Sequence, residues 1–322
     1  GLAYIGALQN AVPSSANAAR YATIVRERAK LRGLAAVGAE VSELGFKSDI
    51  GADEAIAEAQ ARIAELAERG TTTGFLPFAD ALAAAADRST DPTRRALHGL
   101  MPNADLERIM GGCEPGSLII VAARPSVGKT VFGQQATTVA GRRGYASAFF
   151  SGEMPAEQLA MRALSAYSNV PLAEIREGKA STKSGLISDA MCKLAALPIK
   201  VDDTGGLHIN QVVARARALH RRHKLGLIVV DYLTLIRGDG DKTTDRVGDV
   251  AQRLKVLAKE LDCVVIALSQ MSRECEKRFD KRGQLSDLRD SGEIEQAADV
   301  VIFLYREELY QPDTPNKGVI EM

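Results

Sequence analysis

The sequence predicts an α/β fold, a mostly parallel sheet covered on both faces by helices, preceded by an α-helical hairpin and a linker helix. Three observations carry this. From Leu97 onward, short continuous apolar runs alternate with amphipathic stretches, the pattern of buried strands joined by crossover helices. The polar residues with chemistry to offer stand at the carboxyl ends of those runs, where open α/β sheets bind ligands. Finally, the breaker cluster Gly70-Thr-Thr-Thr-Gly74 separates this region from an Ala-rich, helix-patterned beginning.

Taken in order, Ser14-Ser15 caps a helix running to about Leu44, with Tyr21, Ile24, Val25, Leu31, Leu34, Val37, Val41 and Leu44 on one side. A loop with Gly45, Asp49 and Gly51 leads to a second helix, Asp53 to Glu68, striped by Ile56, Ala59, Ile63 and Leu66. The two form an antiparallel hairpin. Two helices bury little alone, so the pair either lies as a lid on the chain's own core or packs on another subunit or partner. Residues 1–70 are read as this hairpin, 71–96 as a linker and 97–322 as the α/β domain. The linker carries a short amphipathic helix, Pro77–Arg88, and a polar stretch, Ser89–Arg95, and such a helix needs a groove to dock in.

In the α/β domain the expected strands are Leu118–Ala123, Ala146–Ser151, Ile199–Asp202, Leu225–Asp231, Val264–Ser269 and Val300–Tyr305. Helices are expected over Lys129–Arg142, Pro155–Ser168, Ser184–Ala196, Ile209–His223 and Asp245–Glu260.

Composition sets bounds. The chain has 322 residues, enough for about two domains, with 46 % hydrophobic and 25 % charged residues, ordinary for a soluble globular protein. Its 41 basic and 41 acidic residues cancel, so any nucleic-acid contact must come from a local patch. The longest apolar runs are too short for a bilayer span, and nothing at the start reads as a signal peptide. Cys113, Cys192, Cys263 and Cys275 lie far apart, as thiols of a reducing compartment do, and do not suggest a zinc site. His220 and His223 belong to a basic helix end rather than to a metal site.

The chemistry begins at Ala123-Arg-Pro-Ser-Val-Gly-Lys-Thr130, directly after the first strand. This is a phosphate-binding P-loop with alanine at its usual first glycine. Ser126, Gly128, Lys129, Thr130 and Val131 form the turn and first helical positions that would hold a nucleotide. Gly128 lets backbone N–H groups approach the phosphates, and Lys129 supplies charge to the β/γ-phosphates. The Thr130 hydroxyl would ligate Mg²⁺, with Asp231 opposite it at the end of Leu-Ile-Val-Val-Asp. Glu153, at the end of the second strand, would polarise an attacking water, the alternative being a helix cap ahead of Pro155. Arg162 lies nine residues further on and would reach the nucleotide, or else stay on the surface. Gln270 would sense the γ-phosphate by hydrogen bonding. The segment Met271–Gly292 then reads as a mobile basic loop suited to a nucleic-acid backbone, although its interleaved acids leave a plainly solvated loop as the alternative.

Together these residues resemble the DnaB-type replicative helicases, whose motor is a RecA-like ATPase domain. The matching runs are Ala122–Thr130, F-S-G-E-M-P at Phe150–Pro155, I-V-V-D-Y-L at Ile228–Leu233 and L-S-Q at Leu268–Gln270. The most specific is S-D-L-R-D-S-G-E-I-E-Q-A-A-D at Ser286–Asp299. Tyr21–Arg32 is similar to the hairpin closing that family's N-terminal domain, and Pro77–Arg88 to its linker helix. The resemblance implies a cytoplasmic ring homo-hexamer, in a bacterial nucleoid or phage-infected cell, hydrolysing ATP or another NTP with Mg²⁺ as it moves on single-stranded DNA. It implies backbone contacts to DNA from Arg289, Asp290 and Gly292, and a collar that recruits primase or a helicase loader.

Gly152 and Asp290 depart from the family's usual leucine and glutamate. The chain also starts inside what resembles the N-terminal domain and stops at Met322, ahead of the family's arginine-finger segment. On that resemblance it is read as a fragment, expected to bind nucleotide and hydrolyse it slowly, since such a finger is worth about 10³–10⁵ in rate. Two other readings stand beside this one: a RecA- or RadA-like recombinase ATPase, and a non-catalytic assembly module binding primase or loader.

Overall fold

The computed structural model describes residues 18–46, 51, 55–56, 58–60, 62–63, 78–90, 97, 99–239, 243–288 and 291–322. The chain divides into two compact units, Gly1–Ala86 and Asp87–Met322.

In the first unit a long helix, α1 (Ala18–Leu44), is followed by helical residues between 55 and 63. Arg62 joins the two by donating to Glu40 of α1 at 2.6 Å and to Glu58 at 2.5 Å. Among the described side chains of α1, Val37 and Val41 are half-buried and Leu44 is buried, whereas Leu31 and Leu34 are exposed. Ser14-Ser15, Tyr21, Asp53 and Leu66 fall outside what is described of backbone or side chain. The next helix, α2 (Phe78–Thr90), exposes Phe78 and Leu82.

The second unit is built on a six-stranded sheet with strand order β3-β2-β4-β5-β1-β6. The strands are β1 (Leu118–Ala123), β2 (Ala146–Ser151), β3 (Ile199–Asp202), β4 (Leu225–Asp231), β5 (Val264–Gln270) and β6 (Val300–Leu304), all paired in parallel. The continuous apolar sequences of β1, β4 and β5 follow from burial on both faces, whereas the edge strand β3 (Ile-Lys-Val-Asp) is partly exposed. Ile120, Ile228, Val265 and Ala267 face one core, against α8 (Ile209–His223) and α9 (Thr243–Leu261). Val121, Phe149, Val229 and Leu268 face the other, against α4 (Lys129–Arg142) and Leu159 of α5 (Ala156–Ser168). Gly133 lets α4 sit close to the sheet, because a Cβ there would lie 3.0 Å from Val229.

Among the described residues, four further helices complete the unit. α3 (Ala104–Met110) is capped by Asn103, whose Oδ1 accepts from the N–H groups of Asp105 and Leu106. α6 (Leu172–Arg176) follows Pro171, α7 (Ser184–Ala195) precedes β3, and α10 (Ser291–Ala297) precedes β6. Of these only α7 is evident from apolar periodicity, since the others are too short to show a face.

The segment read as a mobile loop has a defined internal structure. It contains 3-10 turns at Arg273–Lys277 and Leu285–Asp287, with Cys275 fully buried and an antiparallel bridge between Met271 and Leu288. Arg278 donates to both oxygens of buried Asp287 at 2.9 and 2.5 Å, and the Gln284 N–H donates to the same carboxylate. The interleaved acids of this segment are partners of individual cations: Glu274 for Lys277, Asp287 for Arg278 and Glu276 for Arg124.

Candidate nucleotide site

The P-loop leaves β1 at Ala123, and its backbone takes the left-handed region at Ser126 (φ 67°) before Gly128 at φ 124°. The second angle requires glycine. The turn delivers Lys129 and Thr130 as the first residues of α4, with their N–H groups at its amino end. The parallel register brings three further strand ends alongside, since Ala123 pairs with Gln270 and Ser151 with Asp231.

These ends border a cleft of about 610 Å³ lined by Ser126, Gly128, Lys129, Thr130, Val131, Glu153, Arg162 and Gln270. Every nucleotide-binding candidate from the sequence lines it except Asp231, which is buried. A second cleft of about 620 Å³ between α4 and α5 shares Val131 and Arg162 with it. A third, about 610 Å³, surrounds Gly116, Lys255 and Asp299 at the amino ends of β1 and β6, away from every strand-end candidate. Volume alone would not choose among them; the strand ends do.

Asp231 is the most informative group. It is only 1 % exposed, and neither carboxylate oxygen accepts a hydrogen bond of good geometry. Burial therefore pushes its pKa up from the usual carboxylate range, and the nearby Thr130 hydroxyl and Lys129 ammonium offset this only in part. Lys129 shows the converse, its ammonium held below the usual lysine range by burial, with Asp231 and Glu153 opposing. A buried carboxylate with free lone pairs beside a threonine hydroxyl is a hard-oxygen donor set that fits Mg²⁺.

Glu153 is exposed to the cleft. The helix-capping role that is the alternative for Glu153 belongs to Asp203, whose Oδ2 accepts from the Ala156 N–H at 2.8 Å. The Gly152 N–H donates to the Asp231 carbonyl at 2.7 Å, and a Cβ at Gly152 would come within 3.2 Å of Leu235, so a larger residue there requires Leu235 to move. Arg162 has a buried Nε–H without an acceptor.

Three wall residues escaped the sequence reading: Tyr232, Arg306 and Ile320. Tyr232 carries the Lys129 ammonium 4.6 Å from its ring centroid. Arg306 follows β6, so the strand-end rule that selects Glu153, Asp231 and Gln270 would have selected it too. Arg124, the second residue of the P-loop run, does not line the cleft. Its guanidinium turns away from the loop, donating to the Met271 carbonyl and to Glu276, each at 2.8 Å.

Of the candidate DNA contacts, Arg289 and Asp290 lie outside the described residues, and Gly292 is in the first turn of α10. Among the described residues no helix is long and apolar enough to cross a membrane.

Residues 101–321 match the family described as DnaB-like helicase C terminal domain. The replicative DNA helicase DnaC of Bacillus subtilis (strain 168) is 39 % identical over 330 residues, an alignment covering 100 % of this chain and 73 % of that protein. The replicative DNA helicase DnaB of Geobacillus stearothermophilus has the same identity and coverage. Among solved structures, an ATPase domain superposes with a TM-score of 0.71 at 29 % identity, covering 77 % of this chain and 89 % of its own. A DnaB-like replicative helicase, solved in a study of its interactions with primase, gives 0.69 at 27 % identity and covers 99 % of this chain and 77 % of its own. The recombinase alternative finds no support among these relatives, and the chain belongs to the DnaB family of replicative DNA helicases.

Proposed function

We propose that the cleft is the ATPase centre that drives this ATP-dependent DNA helicase along single-stranded DNA. The observation that carries the reading is Asp231, buried with both carboxylate oxygens unpartnered, one strand from Glu153 and beside Thr130. A fold accepts such a penalty where a cation relieves it.

In this reading the P-loop N–H groups and Lys129 hold the β- and γ-phosphates. Thr130 and Asp231 hold Mg²⁺, which when bound neutralises phosphate charge. Glu153 orients and deprotonates the attacking water, a role worth about 10²–10⁴ in rate. Gln270 hydrogen-bonds the γ-phosphate, and its backbone leads directly to Met271–Leu288. Arg162 donates its unpaired Nε–H to the nucleotide, alongside Ser126, Gly128 and Val131. Arg289, Asp290 and Gly292 meet the DNA backbone.

The subunits assemble as a homo-hexamer, with the first unit engaging primase or a loader. Supporting this are Leu31 and Leu34 on α1 and Phe78 and Leu82 on α2, large apolar side chains left more than half exposed. The test is Mg²⁺-dependent ATP binding and turnover, with and without single-stranded DNA, in the wild type and in Lys129→Ala. Binding and turnover that need Lys129 support the assignment; nucleotide affinity unchanged in Lys129→Ala overturns it.

A further inference from the structure

Three consecutive residues of the loop before the DNA-facing run each seat on the segment that follows β6 or on β6 itself. Lys281 places its ammonium 4.9 Å from the centre of the Tyr310 ring. Arg282 stacks 4.9 Å from the centre of the Tyr305 ring and forks onto Glu321, Nε to Oε2 at 2.8 Å and Nη2 to Oε1 at 2.9 Å. At Gly283 the loop backbone lies so close to Phe303 that a Cβ would approach its ring to 2.3 Å. Tyr305 and Tyr310 stack on one another, 5.7 Å between centroids, giving the loop a rigid aromatic seat.

That seat adjoins the nucleotide cleft through its chain neighbours. Tyr305 and Glu321 exchange two backbone hydrogen bonds, 3.0 and 2.8 Å. Their neighbours Arg306 and Ile320 line the cleft, and Ile320 Cδ1 lies 3.4 Å from the position a Cβ on Gly128 would take. At its other end the same loop is tied to the P-loop through Arg124. The loop is thus anchored to two segments that border the cleft before it runs on toward residues 289–292.

We propose that Arg282 is a positioning residue that couples the two ligands: by clamping the loop to Tyr305 and Glu321, it makes nucleotide in the cleft and single-stranded DNA at 289–292 sense one another. The inference rests on the DNA contact proposed above. The Arg282–Glu321 pair is about half exposed (side chains 54 % and 37 %), so its loss is expected to leave the fold intact. Its bidentate and stacked geometry is what lysine would not reproduce.

The experiment measures the affinity of a fluorescent non-hydrolysable ATP analogue with and without a single-stranded oligonucleotide. The ratio is the coupling factor, and by linkage the nucleotide must change DNA affinity by the same factor. The wild type is expected to show a factor of about five or more, within the usual range of such couplings. In Arg282→Ala it should fall to within about twofold of unity, while each ligand alone binds within about threefold of wild type, as loss of one exposed pair would allow. Arg282→Lys should be intermediate. Arg282→Glu should abolish coupling, and the reversal Arg282→Glu with Glu321→Arg should restore at least about half of it in free-energy terms.

Coupling retained in Arg282→Ala, or no recovery in the reversal, overturns the proposal. So does a loss of about tenfold in DNA affinity without nucleotide, which would make Arg282 a direct phosphate contact. If the wild type binds DNA without coupling, the proposal fails and the DNA contact stands. If it binds no DNA, the underlying reading fails and takes the proposal with it.

Discussion

The Lys129 ammonium lies 4.6 Å from the centroid of the Tyr232 ring, the residue immediately after Asp231. The ring face offers a partly buried cation an electrostatic partner, worth about 0.5–2 kcal/mol. Tyr232→Leu should therefore lower stability without nucleotide by about that amount, whereas Tyr232→Phe, which keeps the ring, should melt as the wild type does. Equal melting of the leucine and phenylalanine variants would remove the contact from the account.

The same lysine predicts a pH dependence. Its pKa is held below the usual 10.5 by burial, so the unfolded chain binds this proton more tightly than the folded one. Its effect on stability therefore becomes more favourable as pH rises through the depressed value toward 10.5. Nucleotide affinity should move the opposite way, weakening over that interval as the ammonium loses its charge. A titration of ATP-analogue affinity from neutral to alkaline pH, compared with thermal melts in the same buffers, checks both signs.

Glu153→Gln keeps the shape of the side chain and removes its basicity. Mg²⁺–ATP affinity should stay near wild type while turnover falls by about 10²–10⁴. Unchanged turnover would assign the base elsewhere and favour the non-catalytic reading of the chain.

Asp231→Asn relieves a buried charge and weakens the cation site together. Without Mg²⁺ the variant should melt at or above the wild type, because it no longer buries an unpaired carboxylate. With Mg²⁺ and nucleotide the wild type should gain stability and the variant little. A destabilised variant under metal-free conditions would show that Asp231 is structurally paired after all.

Thiol reactivity should single out one cysteine. Burial pushes Cys113 and Cys263 up to about 12 and raises Cys275 as well, whereas Cys192 is exposed. A disulfide reagent at mildly alkaline pH should modify the native protein rapidly at one thiol, and Cys192→Ser should abolish that phase.

Much of this was legible because it is local. Apart from the edge strand β3, each β-strand is a short, largely apolar run, and the strands stop within a residue of where those runs do. The P-loop, Glu153, Asp231 and Gln270 follow from strand ends. What was hidden depends on distant partners. That the Met271–Leu288 segment is folded follows from Arg278 meeting Asp287 and from Arg124 reaching Glu276, 152 residues away. Ile320 joins the cleft only through the pairing of its neighbour Glu321 with Tyr305, a contact that no local pattern specifies. Short helices such as α3 and α10 show too little periodicity to be read from sequence.

The most direct test of the central claim is steady-state ATP hydrolysis measured with Mg²⁺ across a series of single-stranded DNA concentrations, wild type beside Lys129→Ala. The account predicts turnover that rises with DNA in the wild type and disappears in the variant. Turnover indifferent to DNA, or surviving the loss of Lys129, would contradict it.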